Sequence, residues 1–272
     1  MTPFFLDSPT GPLFAVYWPP VSQTVNHAIL HVPAFAEEMN KSRRMVTLQA
    51  RALAEQGFAV LMLDLFGTGD SGGDFAEASW EGWLSDLTAG IAWLKAQGIV
   101  QIDFWGLRAG ALLAMDFVER NPDDIERLLL WQPVLNGDTF VTQFLRLRVA
   151  AAMMNNDMPK EKTSDLKRQL QDGQALEVAG YLLSPDLIRP LMALRADRLS
   201  LLNINEVALF EIVAKDDIQV SMVSSQFFSL LQEKRINVSL TKIIGDGFWA
   251  SQEISEVPDL IKMTSERLEQ WL

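Results

Sequence analysis

The chain of 272 residues predicts an α/β fold: a mostly parallel central sheet flanked by helices, with a helical cap insertion. Three observations predict it. Apolar runs of strand length alternate with segments of helical periodicity. Those runs carry few charges, as strands buried on both faces do. One stretch, 138–200, breaks the alternation with helical segments alone.

The elements follow in order. PLFAVYW (12–18) reads as an early strand and HAILHVP (27–33) as a second. Residues 41–56 place Met45, Leu48 and Ala52 at helical spacing, and Gly57 supplies the stop. FAVLMLD (58–64) is a buried strand, followed by the glycine-rich loop FGTGDSGGDF. Residues 79–97 form a helix with Trp83, Leu87, Ile91 and Leu94 on one face. QIDFWG (101–106) is a strand, ALLAMDFVER (111–120) a helix and RLLLWQPVL (127–135) a strand. The cap holds three or four helical segments, drawn from VTQFLRLRVAAAMM, SDLKRQLQ, ALEVAGYLL and DLIRPLMALRA. VALFEIV (207–213) and VSLTKII (238–244) are late strands separated by a helix at about 221–233, and a last helix covers roughly 258–271. Residues 1–137 and 201–272 thus build the core and 138–200 the cap.

Composition excludes several chemistries. Lys and Arg number 23 against 35 Asp and Glu, so a surface of net charge −12 argues against nucleic-acid binding, which needs cations for phosphates. No cysteine is present, which removes disulfides, thiolate nucleophiles and Cys-ligated metals. His27 and His31 are the only histidines, so a multi-histidine metal site is excluded; no metal and no cofactor is expected. The loop at 67–73 lacks the lysine and spacing of a P-loop, and Gly106 to Gly110 lacks the third glycine of a dinucleotide fingerprint. No apolar run approaches the ~20 residues of a membrane span. The opening MTPFFLDSPTGPLF has no basic segment before its apolar residues, and the expected location is the cytoplasm.

Three segments carry the candidate chemistry. WGLRAGALLA (105–114) is a strand, a tight turn and a helix; EIVAKDDIQV (211–220) and IIGDGFW (243–249) each follow a late strand. Their order resembles the α/β-hydrolase fold, in which a G-x-S-x-G elbow carries the nucleophile, an acid follows a later strand and a histidine the last one. Here the pentapeptide is Gly106-Leu107-Arg108-Ala109-Gly110. Both glycines are kept, but Arg108 holds the nucleophile position, and a guanidinium cannot attack. Asp217, beside Asp216, matches the acid. Phe248 stands at the histidine position, and no histidine occurs after His31. At the oxyanion loop, His31 matching the fold's histidine puts Pro33, which has no N–H, on the donor position; a shifted register leaves Ala34 or Phe35 as donor.

A narrower resemblance rests on HVPAFAEEMNKSRR, FGTGDSGGDF, FWGLRAGALLA, LLLWQPVLNGDTFVTQFLRLR and VAGYLLSP. Together these strings are similar to the exosortase A system-associated hydrolases, type 2. That family is encoded with the exosortase/PEP-CTERM protein-sorting and exopolysaccharide machinery of Gram-negative bacteria. The resemblance implies a place in that physiology; Arg108 and Phe248, in a fold left without Ser-His-Asp machinery, point to a protein that binds a small anionic or glycan-related ligand, or a protein partner. Arg108, Leu107, Ala109, Phe35, Trp249 and Phe248 are the candidate ligand-binding residues, and Asp217 and His31 the candidate catalytic ones.

Each candidate has a plainer reading. Arg108 either fills a dead site, in which case it should meet Asp217 where the histidine is missing, or it anchors an anion at the start of its helix. Asp217 is an acid or a turn or N-cap residue. His31 is a base or a strand-end histidine, with Glu37 and Glu38 as its partner or as a solvated helix entry. Ser71 is a turn residue rather than a substitute nucleophile. Trp83, Trp93, Trp105 and Trp131 are core aromatics, and Trp249 belongs to the rim of a pocket as readily as to the core. A true ester or acyl hydrolase remains the alternative, with Arg108 as oxyanion clamp and Asp217 or His31 as base.

Overall fold

The computed structural model describes residues 1–21, 26–154 and 161–272. The N-terminal hairpin pairs β1 (Thr2–Ser8) with β2 (Gly11–Trp18). The sequence pattern predicts only the second of these strands. β1 lies at the edge of the sheet, where Pro3 and Asp7 are tolerated because one side of an edge strand needs no donors. The chain continues through β3 (His27–Val32), α1 (Glu37–Gln56), β4 (Ala59–Leu63), α2 (Trp80–Ala96), β5 (Gln101–Leu107), α3 (Ala109–Arg120) and β6 (Arg127–Trp131). After the insertion come β9 (Glu206–Val213), α7 (Met222–Glu233), β10 (Asn237–Ile244) and α8 (Pro258–Leu268).

The sheet has eight strands in the order β1-β2-β4-β3-β5-β6-β9-β10. β2 runs antiparallel to β1 and β4, and the others are parallel. The chain builds outward from β3 to β4, then crosses back over β3 to place β5 on its other side. That reversal opens a crevice at the carboxyl ends of β3 and β5, where Val32 sits opposite Gly106.

Successive strand residues point to opposite faces. Leu30, Phe104, Leu130 and Leu209 pack with α2, α3, α7 and the insertion. Ile29, Trp105, Trp131 and Phe210 pack with α1 and α8. Trp105 and Trp131 are fully buried, as their core reading requires. Local signals end the helices where expected: Gly57 takes φ 115° after α1, and the Ser79 hydroxyl accepts the Gly82 N–H at the start of α2.

The insertion holds α4 (Gly137–Met154), α5 (Thr163–Gln171), a hairpin of β7 (Leu176–Val178) and β8 (Tyr181–Leu183), and α6 (Pro185–Ala193). Residues 155–160 of the expected cap lie outside the described residues. The helical reading of ALEVAGYLL is corrected: this segment is the hairpin. Leu176 and Val178 are buried on either side of exposed Glu177, a two-residue alternation, and Ala179 and Gly180 both take positive φ in the turn. Ser71 is structural: its hydroxyl donates to the Asp64 carbonyl at 2.5 Å and accepts the Phe14 N–H at 2.8 Å. No helix among the described residues is long and apolar enough to cross a membrane.

Candidate functional site

The turn from β5 into α3 is a nucleophile-type elbow without the nucleophile. Arg108 adopts φ 55° and ψ −120°, a conformation few non-glycine residues occupy. Its N–H donates to Trp131 O at 3.1 Å, and its carbonyl accepts the Val134 N–H at 3.0 Å. The flanking glycines permit the tight approach. A Cβ on Gly106 would come within 2.5 Å of Ala111 Cα, and one on Gly110 would run into the carbonyl oxygens of Val32 and Pro33. At the oxyanion loop, then, carbonyl oxygens face the elbow glycine.

The Arg108 side chain turns to Glu38 in the first turn of α1. Nε lies 3.2 and 3.3 Å from the two carboxylate oxygens, and Nη2 donates to Oε1 at 3.0 Å. The expected Arg108–Asp217 contact is thereby corrected. Burial pushes the Glu38 carboxyl above its ordinary value, with Arg108 pulling the other way. The guanidinium also lies 5.3 Å from the Trp249 ring and 5.9 Å from Phe140. Glu37 takes a different partner: Tyr181 of β8 donates to its carboxylate at 3.1 Å, which ties the hairpin to α1. Neither glutamate bonds His31.

The turn into α1 repeats the elbow. Ala36 has φ 52° and ψ −128°. The helices that follow two neighbouring strands are thus both entered through the same strained geometry. A positive side chain at the start of α3 is unfavourable to that helix dipole, whereas Glu37 and Glu38 suit the start of α1. Pairing Arg108 with Glu38 settles both.

The remaining predicted residues are dispersed. His31 is buried in β3, its Nδ1 3.1 Å from Trp105 O and its ring against Trp105. Burial lowers its pKa to about 3, so the ring is neutral at physiological pH. Its surroundings leave a void of about 20 Å³ beside the Arg43–Asp64 ion pair, room for one water. Asp217 is exposed in the turn after β9; the cap of α7 is Ser221, which corrects the N-cap reading, and neighbouring Asp216 pairs with Lys242. Phe248 is buried against Trp131 and Trp249, in the apolar cluster that holds α1 and α8. Leu107 and Ala109 are buried in the core beneath the turn. Phe35 is buried among Phe75, Trp83, Phe140 and Phe144, where it joins the body to the insertion.

Arg108 contributes to the lining of a cleft of about 390 Å³ between α4 and α7. Asn136, Thr139 and Gln143 line it from the α4 side and Gln226 from α7. Arg195 and Asp197, paired at 2.5 Å, lie along it. No motif in the sequence marks these residues or the role of Glu38. The signal for Glu38 was available: two acidic residues open the helix that follows the strand adjacent to the elbow.

Chemically the site offers spare guanidinium N–H groups, side-chain amides and a hydroxyl. Among the described residues that line the cleft there is no serine, cysteine or histidine. Among the described residues no cluster of His, Asp and Glu could hold a metal ion.

Solved structures similar to the chain share its fold. The ferulic acid-bound Est1E of Butyrivibrio proteoclasticus superposes with a TM-score of 0.70 at 17% identity, over 98% of this chain and 97% of that one. An esterase of Pyrococcus furiosus gives 0.65 at 16% identity, over 99% and 90%. The monoglyceride lipase of Saccharomyces cerevisiae gives 0.63 at 13%, over 100% and 95%. No curated protein sequence matches the chain. The sequence profile of the Hydrolase_4 family, described as serine aminopeptidase, S33, matches residues 24–191. A profile match over more than half the chain, on a sheet of this strand order with an elbow at Arg108, places the protein in the Hydrolase_4 (serine aminopeptidase, S33) family of α/β hydrolases.

Proposed function

We propose that the protein is a binding member of its hydrolase family, without Ser–His–Asp turnover, and that it holds a small anionic or glycan-related ligand at Arg108. The observation that carries this is the elbow itself. The position that presents the nucleophile in the fold presents a guanidinium held by Glu38 beside an open cleft. The exosortase-associated setting, in exopolysaccharide and protein-sorting physiology, belongs to the same reading. It is supported by the sequence strings around the elbow, the oxyanion loop and the insertion. A protein partner is the other occupant this setting would supply.

The alternative of an ester or acyl hydrolase with relocated chemistry finds little in the geometry. Asp217 projects into solvent, and His31 is sealed under the sheet's end with its ring bonded to a carbonyl. The test runs two assays on the same purified samples, wild type and Arg108→Ala. One is hydrolysis of a para-nitrophenyl ester; the other is titration with sugars, uronic acids, sugar phosphates and acyl carboxylates. The reading expects no ester turnover and binding that disappears with Arg108. Turnover that survives Arg108→Ala sinks it.

A further inference from the structure

We infer that the cleft between α4 and α7 takes a neutral polyhydroxylated ligand, a sugar without an acidic group, in preference to an anion. The inference rests on the binding role proposed for Arg108 and narrows it to one ligand chemistry.

Charge is the first argument. Both arginines that line the cleft already own a carboxylate. Arg108 is bonded through Nε and Nη2 to Glu38, and Arg195 through Nε and Nη2 to Asp197 at 3.0 and 2.5 Å. An arriving anion would have to displace an internal carboxylate or sit beside it, and like charges at such range repel. The field an anion meets is close to neutral, within a protein whose net charge is −12.

Donor count is the second. A guanidinium has five N–H donors in a fixed plane. Glu38 occupies Nε and one position on Nη2, and Gln132 O lies at 3.5 Å from Nη1. The remaining donors suit hydroxyl oxygens, which accept without bringing charge.

The rest of the lining is the third. Gln143 and Gln226 carry amides that each pair an acceptor with a donor across about the span of two vicinal hydroxyls, and Asn136, whose Oδ1 accepts the Thr139 N–H at 3.0 Å, keeps its amide N–H groups as donors. Thr139 adds a hydroxyl, and Phe140 and Phe227 supply an apolar floor for the ring face. A volume of about 390 Å³ lies within the range of small-ligand sites. An extended peptide would look for a free strand edge, and the cleft is walled by two helices.

The experiment titrates the whole protein with methyl glycosides of neutral mono- and disaccharides, their uronic-acid counterparts, and a capped neutral tripeptide. Binding is read by saturation-transfer NMR and calorimetry at low and high salt. The inference expects a neutral glycoside to bind at least as well as its uronate, with less than about twofold change across the salt range, since no charge is neutralised on binding. Gln143→Leu and Gln226→Leu should each weaken that binding about tenfold, the worth of one lost pair of hydrogen bonds. Glu38→Gln should turn the preference toward the uronate by about tenfold or more, because it frees the charge of Arg108. A uronate that binds the wild type tenfold tighter than its neutral partner overturns the inference and leaves the role of Arg108 standing. Binding of the peptide alone, or of no sugar, overturns it as well. Should Glu38→Gln fail to fold, the salt dependence and the two glutamine variants decide alone.

Discussion

Ala36 and Arg108 share one backbone conformation, φ 52° and ψ −128° against φ 55° and ψ −120°, each as the residue before the helix that follows one of two hydrogen-bonded strands. Arg108 alone joins β5 to α3, whereas Ala36 is the last of the four residues between β3 and α1. Backbone held in that region costs of order 1–3 kcal/mol where a Cβ is present. The two positions differ in what offsets the cost. Ala36 gains little from its methyl, whereas Arg108 gains an ion pair.

Ala36→Gly is therefore expected to raise stability by about 0.5–1 kcal/mol. Arg108→Gly should fail to do so, since relief of strain is set against the loss of the Glu38 contact. Urea unfolding midpoints of the two variants check this; equal gains in both would show that the pair contributes nothing.

The pair should also behave as a unit. Arg108→Met or Glu38→Gln alone strands its partner in a largely buried place and should cost about 1–3 kcal/mol. The double variant should cost less than the sum, by about 1 kcal/mol or more in a double-mutant cycle. Strict additivity would mean that the two side chains ignore each other in solution.

Restoring the family's residue types should not restore the chemistry. Arg108→Ser with Phe248→His is expected to give no ester turnover, because position 248 points into the cluster of Trp131 and Leu260 and Asp217 stands in solvent. Phe248→His alone should lose about 2–4 kcal/mol, since it places a ring nitrogen without a partner in an apolar site and leaves space around it. A para-nitrophenyl ester assay and a thermal melt read both.

Acid should weaken the fold through His31. Its folded pKa of about 3 lies below its ordinary 6.5, so between those values the unfolded chain binds more protons than the native one. Stability from this group is complete above about pH 6.5 and is lost as pH falls toward 3, at up to ~1.4 kcal/mol per pH unit. His31→Asn should remove that component and flatten the fall in denaturant midpoint between pH 6.5 and 4.5. An unchanged slope would show that other groups cause it.

Tyr181→Phe should loosen the hairpin while leaving the sheet intact. It removes the hydroxyl that reaches Glu37 and should cost about 1 kcal/mol. Amide exchange should quicken over Leu176–Val178 and Tyr181–Leu183 and stay unchanged in β5 and β6.

The fold was legible because its signals are local and repeated. The parallel strands appear as unbroken apolar runs, and Gly57 and Ser79 bound the helices by side-chain and backbone chemistry written at those positions. β1 escaped because an edge strand tolerates the proline and charge that argue against a central one. The hairpin at 176–183 escaped because three-residue strands are too short to show a period. The elbow was legible for a different reason: Gly106 and Gly110 mark a close approach that no other residue permits. The partner of Arg108 was not legible. Glu38 and Asp217 are both acids near strand ends, and only the rotation of each turn decides which one meets the guanidinium. Nor can a motif reveal the cleft, since Asn136, Gln143, Arg195 and Gln226 come together from separate elements.

The glycines at 106 and 110 answer to the backbone around them, to Ala111 on one side and to Val32 and Pro33 on the other. Neither answers to the side chain displayed between them. Position 108 is thus a mount, with the direction of display fixed by the scaffold and the displayed group left to choice. A hydroxyl there would be shown where an attacking group stands, and a guanidinium is shown there as a gripping one. One codon changes the displayed group without supplying the partners that chemistry needs, while the joint that supports either group would take a re-registered sheet to replace.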